Sequence, residues 1–324
     1  MFQMNRRAAI GGLLCAAPAA FSPAWAQSLV APAETRFAPA EEGGIAITLD
    51  TWTDTYGRPT ASVKLNGQGP FAFLVDTGST ATVMSERVAR SLGAASAGAL
   101  TIAGATGTAI RPFAVMTTLQ TGAVTRNDLR VAILPNKDIK RGDGILGADV
   151  FAGKRLVFSI PDKTVRVETS QRATRAPDGN LRLRHGLLAE VDGRVGAIAA
   201  RLMLDTGADY CIANPALGGA LRRAYPRLQR IPNVRVTGVT GHRIMGEFTN
   251  LPRVDVKAFS VQDSAAVIAD ASIFELWGLQ SEPAMIVGVD LLSRLESFSI
   301  DYGTKMFDAK LLSELIARNL VALG

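Results

Sequence analysis

Short apolar runs bounded by Gly, Asn, Asp or Pro recur along the chain, and few stretches hold the 3.6-residue period of a helix. The stretch "VKLNGQGPFAFLVD" predicts a strand, a turn at Asn66-Gly67 and a second strand ending at Asp76. "LLAEVDGRVGAIAARLMLD" predicts the same arrangement around Asp192-Gly193, ending at Asp205. "LVFSIPDKTVRV" (156–167) and "ESFSIDYGTKMF" (296–307) both read as hairpins. Helical signals are few. They are confined to short turns at 85–93 and 147–154 and to an amphipathic C-terminal segment, 308–324, with Leu311, Leu312, Leu315, Ile316 and Leu320 on one side.

These elements repeat in order. "FLVDTGST" (73–80) returns as "LMLDTGAD" (202–209), "TIAGATGT" (101–108) as "VTGVTGHR" (236–243), and "GILGADVF" (144–151) as "MIVGVDLL" (285–292). The aspartates lie 129 positions apart, Gly104 and Gly238 134, and Gly147 and Gly288 141, so the second copy carries insertions, placed in 213–235 and 269–283. The chain therefore divides into a leader (1–26), an N-terminal linker (27–42), a first lobe (43–170), a linker rich in charge, Pro and Gly (171–180), and a second lobe with the C-terminal helix (181–324). With 48% hydrophobic residues, each half can build its own core.

The leader has Arg6-Arg7, an apolar stretch from Ala8 to Ala20 and a small-x-small site at Ala24-Trp25-Ala26, which reads as an export signal for a periplasmic or secreted bacterial protein. The arginine pair fits the twin-arginine route, with an ordinary secretory leader as the alternative. No later run is long enough for stable membrane insertion. Cys15 leaves with the leader, so Cys211 has no intrachain disulfide partner. The formal charge of +6 becomes about +4 without Arg6 and Arg7. The basic clusters within 166–184 and 222–230 lack interleaved aromatics, which argues against nucleic-acid binding and for solvated surface.

Two histidines, His185 and His242, leave little room for Ser-His-Asp catalysis, and no His/Cys spacing fits a zinc site. No phosphate-binding glycine loop is present, and neither a metal nor a cofactor is expected. Carboxylates remain. Asp76 and Asp205 each follow an apolar strand, where a lone buried charge is costly, so each is a candidate partner for the other. Taken singly, either would read as a turn cap.

Repeated in order and followed by glycine-rich hairpins and an apolar-apolar-glycine element, the D-T-G motifs make the chain resemble the retropepsin and pepsin-like aspartic proteases over nearly all of 60–310. The two flap-like hairpins and short halves resemble a fused pair of retroviral-type protomers more than a pepsin; the pepsin flap tyrosine and disulfides are missing. The resemblance implies an all-β fold with short helices, two similar barrel-like lobes and a cleft between them. It assigns catalysis to Asp76 and Asp205 and loop support to Thr77, Gly78, Ser79, Thr206, Gly207 and Ala208, with the threonine hydroxyls locking the two loops together. It also makes Gly104, Ala105, Thr106 and Gly107, and Gly238, Val239, Thr240 and Gly241, substrate-binding flaps. Ser79 is expected to offer its hydroxyl to the neighbouring carboxylate, which Ala208 cannot do.

The expected activity is an endopeptidase acting as a monomer on peptides or unfolded polypeptide. The alternatives are a peptide-binding or scaffolding protein that keeps the fold but cleaves little, and a processing enzyme for one dedicated partner. Asp149 and Asp290 read as helix caps, Asp209 as one half of a structural ion pair, and His242 as an exposed hairpin residue.

Overall fold

The computed structural model describes residues 57–139, 142–170, 181–256 and 259–311, together with short strands at 8–10, 13–14, 47–48 and 51–53. The leader cleavage site, both linkers (27–42 and 171–180) and the tail from 312 onward lie outside the described residues. The protein is mostly β with a few short helices, as the apolar pattern predicts.

The described strands form three sheets. One is built mainly from the first half, one mainly from the second, and the third joins them. The two predicted hairpins form the joining sheet: strand Lys154–Ser159 pairs with Thr164–Thr169, and strand Leu295–Asp301 with Met306–Leu311. The first strands of the two hairpins also pair with each other, setting Phe158 opposite Phe298, with ring centroids 4.4 Å apart. Matching segments of the repeat thus meet across one sheet and bury their aromatic residues there.

In the first half, strand Pro59–Leu65 turns at Asn66-Gly67 into strand Gln68–Asp76. Both turn residues have positive φ (50° and 78°), the geometry that makes Asn-Gly a tight hairpin turn. In the second half the turn is not at Asp192-Gly193. Strand Leu188–Val195 runs through that pair, and the chain reverses at Gly196-Ala197. The reason is packing. A Cβ on Gly193 would fall 2.3 Å from a Leu202 methyl and 2.8 Å from the Asp255 carbonyl, so this glycine serves close approach inside the sheet.

The C-terminal expectation changes at its first four residues, the rest lying outside the described residues. Residues 308–311 continue strand Met306–Leu311, which pairs with Leu295–Asp301 and buries Phe307. Non-local pairing to an apolar edge outweighs a local helical period.

The helical turns at 85–93 and 147–154 appear as helix Glu86–Ser91 and a 3₁₀ turn, Ala148–Phe151. Ser85 caps the first by accepting the Val88 N–H. In the second half the equivalent helix is longer, Pro215–Ala224, capped by Asn214 and started by its proline. This extra length falls inside one predicted insertion. The other predicted insertion holds helix Ser272–Leu276.

Candidate active site

Asp76 ends strand Gln68–Asp76, and strand Gly144–Gly147 runs parallel to it, with Leu146 opposite Val75 and Gly147 opposite Asp76. In the second half strand Ala284–Val287 lies parallel to Ile198–Leu204, with Val287 opposite Leu204, so Asp205 leaves its strand at the same place. Each apolar-apolar-glycine element therefore flanks the strand that delivers an aspartate. Strands buried on both faces require such continuous apolar sequences.

The two loops are tied reciprocally. The Thr77 hydroxyl donates to the Leu204 carbonyl (2.9 Å) and accepts the Thr206 N–H (3.1 Å). The Thr206 hydroxyl donates to the Val75 carbonyl (2.7 Å) and accepts the Thr77 N–H (3.1 Å). These four buried bonds hold residues 129 positions apart in nearly two-fold register. Their short, fully satisfied geometry makes the junction rigid.

The reciprocal tie brings the aspartates together. Asp76 is 1% exposed and Asp205 2%. A Cβ on Gly78 would lie 2.3 Å from the Asp205 carboxyl carbon, so the first loop passes against the second carboxyl group and only glycine fits. Burial first, then repulsion from the neighbouring Asp205, raises Asp76 well above the usual carboxylate range. Asp205 is also raised, by burial, but less.

The difference follows from the donors. Asp205 Oδ1 accepts N–H groups from Gly207 (2.8 Å) and Ala208 (3.0 Å), whereas Asp76 Oδ1 accepts only that of Gly78 (2.9 Å). Asp76 Oδ2 has no hydrogen-bond partner among the described residues. Backbone N–H groups favour the charged form, so the donor geometry favours the charge on Asp205 and the proton on Asp76. Ser79 plays no part in this asymmetry. Contrary to expectation its hydroxyl donates to the Ala81 carbonyl (2.8 Å), because the loop turns the side chain back into its own lobe.

Arg58 was not legible as a site residue. Its guanidinium donates to the Gly207 carbonyl and pairs with Asp209 (both 3.2 Å), so it bridges the halves directly beneath the second loop. Both side chains are buried, and the cation lowers the pKa of both members of the dyad. Asp209 is thus the ion-pair residue its sequence position implied. A lone Arg before Pro59 gives no local sign of a partner 151 positions away.

Asp149 and Asp290 are not at the helix-cap positions expected of them. The residues at the cap positions are Gly147 and Gly288, without side-chain caps. Asp149 accepts the Thr82 N–H (2.9 Å) and hydroxyl (2.8 Å) as well as the Val150 N–H (3.0 Å), anchoring the outgoing end of the first loop; burial raises its pKa to about 6. Asp290 does the same with the Cys211 N–H and thiol (both 3.2 Å) and the Leu291 N–H (2.9 Å).

The glycine-rich segments are hairpin tips. Strands Gly98–Gly104 and Gly107–Thr121 turn at Ala105-Thr106, and strands Arg230–Gly238 and Arg243–Asn250 turn through Val239, Thr240, Gly241 and His242. The tips interlock. The Thr106 hydroxyl accepts the Gly238 N–H (3.0 Å) and donates to the His242 carbonyl (2.9 Å), and the Thr240 hydroxyl donates to the Gly107 carbonyl (3.2 Å). A Cβ on Gly238 would lie 2.4 Å from the Thr106 hydroxyl. His242 is exposed, its Nδ1 3.0 Å from the Thr240 hydroxyl.

Each tip seats in the opposite half. Ala105 packs in a cluster with Met203, Ile212, Ile273 and Trp277, while Val239 packs with Ile102, Leu134 and Ile139. No group of three or more His, Cys, Asp or Glu side chains that could hold a metal occurs among the described residues. No helix among them is long and apolar enough to cross a membrane.

A buried carboxyl pair, one member from each half, sits at a junction of near two-fold symmetry. Residues 61–150 and 189–291 each match the family model described as aspartyl protease. The chain belongs to the aspartyl protease family. The two matched regions divide between the halves and each contains one of the D-T-G loops, so a member of this family carries both copies of the motif in one chain. Among curated proteins no relative matches the chain.

Proposed function

We propose that the protein is an exported aspartic endopeptidase, active as a monomer, that hydrolyses peptide bonds in extended peptides or unfolded polypeptide. The observation that carries the reading is the coupled pair Asp76–Asp205, one carboxyl from each half, buried together and held by reciprocal threonine bonds. With one proton between them, the charged carboxylate takes a proton from a water as the water attacks the scissile carbonyl, and the protonated partner donates to the carbonyl oxygen. Collapse of the tetrahedral intermediate transfers a proton to the leaving amine and restores the singly protonated pair. The donor asymmetry assigns the base role to Asp205 and the acid role to Asp76.

Thr77 and Thr206 keep the carboxyls in register, and Gly78 allows their close approach. Hairpin tips 104–107 and 238–241 serve as the substrate-binding flaps, their strands suited to an extended peptide bound as an added strand. The arginine pair and small-residue site of the leader support export.

Interlocked flaps and an almost inaccessible dyad favour one second reading, a peptide-binding protein of this fold with little turnover. A peptide library incubated with the protein from pH 3 to 8 and read by mass spectrometry separates the two. Asp76→Asn and Asp205→Asn are each expected to lower kcat/KM by about 10³-fold or more with unchanged folding. Near-normal turnover in Asp205→Asn overturns the dyad, and peptide capture without cleavage by the parent supports the binding protein.

A further inference from the structure

Both hydroxyl protons that join the flap tips lead to one residue. The Thr106 hydroxyl of the first tip donates to the His242 carbonyl (2.9 Å). The Thr240 hydroxyl of the second tip donates to the Gly107 carbonyl (3.2 Å) and also lies 3.0 Å from His242 Nδ1. The imidazole is fitted to this place. A Cβ on Gly107 would fall 2.8 Å from its Cγ and 2.9 Å from its Nδ1, so the ring rests on bare backbone of the opposite flap.

A hydroxyl has one proton to give. While Thr240 gives its proton to the Gly107 carbonyl, His242 Nδ1 must be the donor in its contact with Thr240. An imidazolium carries a proton on both nitrogens and always meets that demand, whereas a neutral imidazole carries only one. When that proton sits on Nε2, Nδ1 is an acceptor, the Thr240 proton turns toward the ring, and the Gly107 carbonyl loses its donor from the other flap. The neutral ring therefore divides between a joined and an unjoined arrangement, and the cation has only the joined one.

The charged groups around the tips come from both halves. The Asp138 carboxylate lies against the same turn, where a Cβ on Gly241 would be 3.1 Å from its Oδ1, and Arg111 of strand Gly107–Thr121 pairs with it (3.4 Å). Arg243 follows His242 in its own strand. Helix Ser272–Leu276, joined to the first tip by a bond from the Ile273 N–H to the Ala105 carbonyl (3.4 Å), carries Glu275. Among these side-chain types, imidazole is the one that ordinarily changes charge between about pH 5 and 8.

We propose that His242 is a pH-sensitive latch between the flaps, which in its protonated form keeps the tips joined and in its neutral form lets them part to admit a peptide. This rests on the reading of the hairpins as substrate-binding flaps. By linkage, a proton bound more tightly by the joined tips favours the joined tips in turn. One hydrogen bond gained or lost shifts such an equilibrium about twofold to tenfold.

The test places spin labels on the full chain through Ile110→Cys and Met245→Cys, exposed positions opposite Thr101 and Arg235 in the two flap hairpins, with Cys15→Ser and with Cys211 left in place because it is buried. The distance distribution between the labels is measured at about pH 5 and about pH 8. A separated population that grows about twofold to tenfold relative to the joined one at the higher pH is expected, and no such growth in His242→Gln or in Thr240→Val. A distribution that does not change with pH, or one that changes equally in His242→Gln, overturns the latch. In the unlabelled protein, the ratio of kcat/KM at the higher pH to that at the lower should fall by a similar factor in His242→Gln, a comparison in which the titration of the dyad cancels. A pH-dependent separation that His242→Gln abolishes, in a protein that cleaves no peptide at any pH, rejects the endopeptidase reading and leaves the latch in place.

Discussion

The first and second halves of the protein answer the same structural problem with different atoms. Both deliver an aspartate from a doubly paired strand, both turn through Thr-Gly, and both anchor the outgoing segment to an aspartate in the following helical turn. In the first half the anchor is a hydroxyl, Thr82 to Asp149; in the second it is a thiol, Cys211 to Asp290. The first carboxylate receives one backbone N–H, the second two. Only the second loop carries the Arg58–Asp209 pair. Shared geometry brings two like charges together, and the differences decide which one keeps the proton.

The comparison breaks most completely at Gly78. Gly78→Ala places a methyl group where the Asp205 carboxyl sits, so the loops must part or the carboxyl must rotate. A loss in kcat/KM of at least about 10²-fold is expected, since a displacement of about 1 Å costs that much at a reacting centre. Retention of near-parental rates would show that the aspartates need not meet.

Removing the cation comes next. Arg58→Met leaves Asp209 buried without its partner and is expected to cost about 3–5 kcal/mol in urea unfolding. Asp209→Leu in the same chain should recover much of that loss. Because Arg58 lowers both dyad pKa values, both limbs of the pH–kcat/KM profile should move to higher pH in the double variant. An unmoved profile would limit the pair to a structural role.

The anchors give a smaller effect. Thr82→Val removes a buried hydroxyl that donates to Asp149 and accepts the Gly147 N–H (3.2 Å), for an expected loss of about 1–3 kcal/mol. Cys211→Ala removes a weaker donor and should cost less in its hydrogen bond, though it also empties buried volume. Cys211→Ser restores the polar contact and separates the two contributions. Equal losses in Thr82→Val and Cys211→Ser would erase the distinction between the anchors.

The smallest expected effect is none. Raised pKa values on both members shift the singly protonated state to higher pH than two ordinary carboxylates would hold it. Since the Ser79 hydroxyl bonds to Ala81, Ser79→Ala should leave both limbs of the profile where they are. An upper limb moved toward neutral would mean that the hydroxyl reaches Asp76 during catalysis.

Much of the site was readable along the chain because it repeats. Local order alone identified Asp76, Asp205, the two threonines and both glycine-rich hairpins, since each depends on a strand end or a tight turn whose chemistry is written within a few residues. The hairpin at 192–193 failed because Asp-Gly is a turn signal by composition, while the glycine answers to Leu202 and Asp255 from other strands. At 308–311 a local helical period was overridden in the same way, by an edge partner at Leu295–Asp301.

What the sequence determined by itself was the β-rich frame, its duplication and the identity of the two carboxyls, because strand periodicity and turn chemistry act over short distances. Tertiary structure decided that Arg58 sits beneath the second loop, that Ser79 points away from the dyad, that each flap tip packs in the other half, and that Asp205 receives more N–H donors than Asp76. Those outcomes depend on burial and on donors brought together from distant positions. Electrostatic and packing forces act on distance in space, which the order of residues along the chain does not specify.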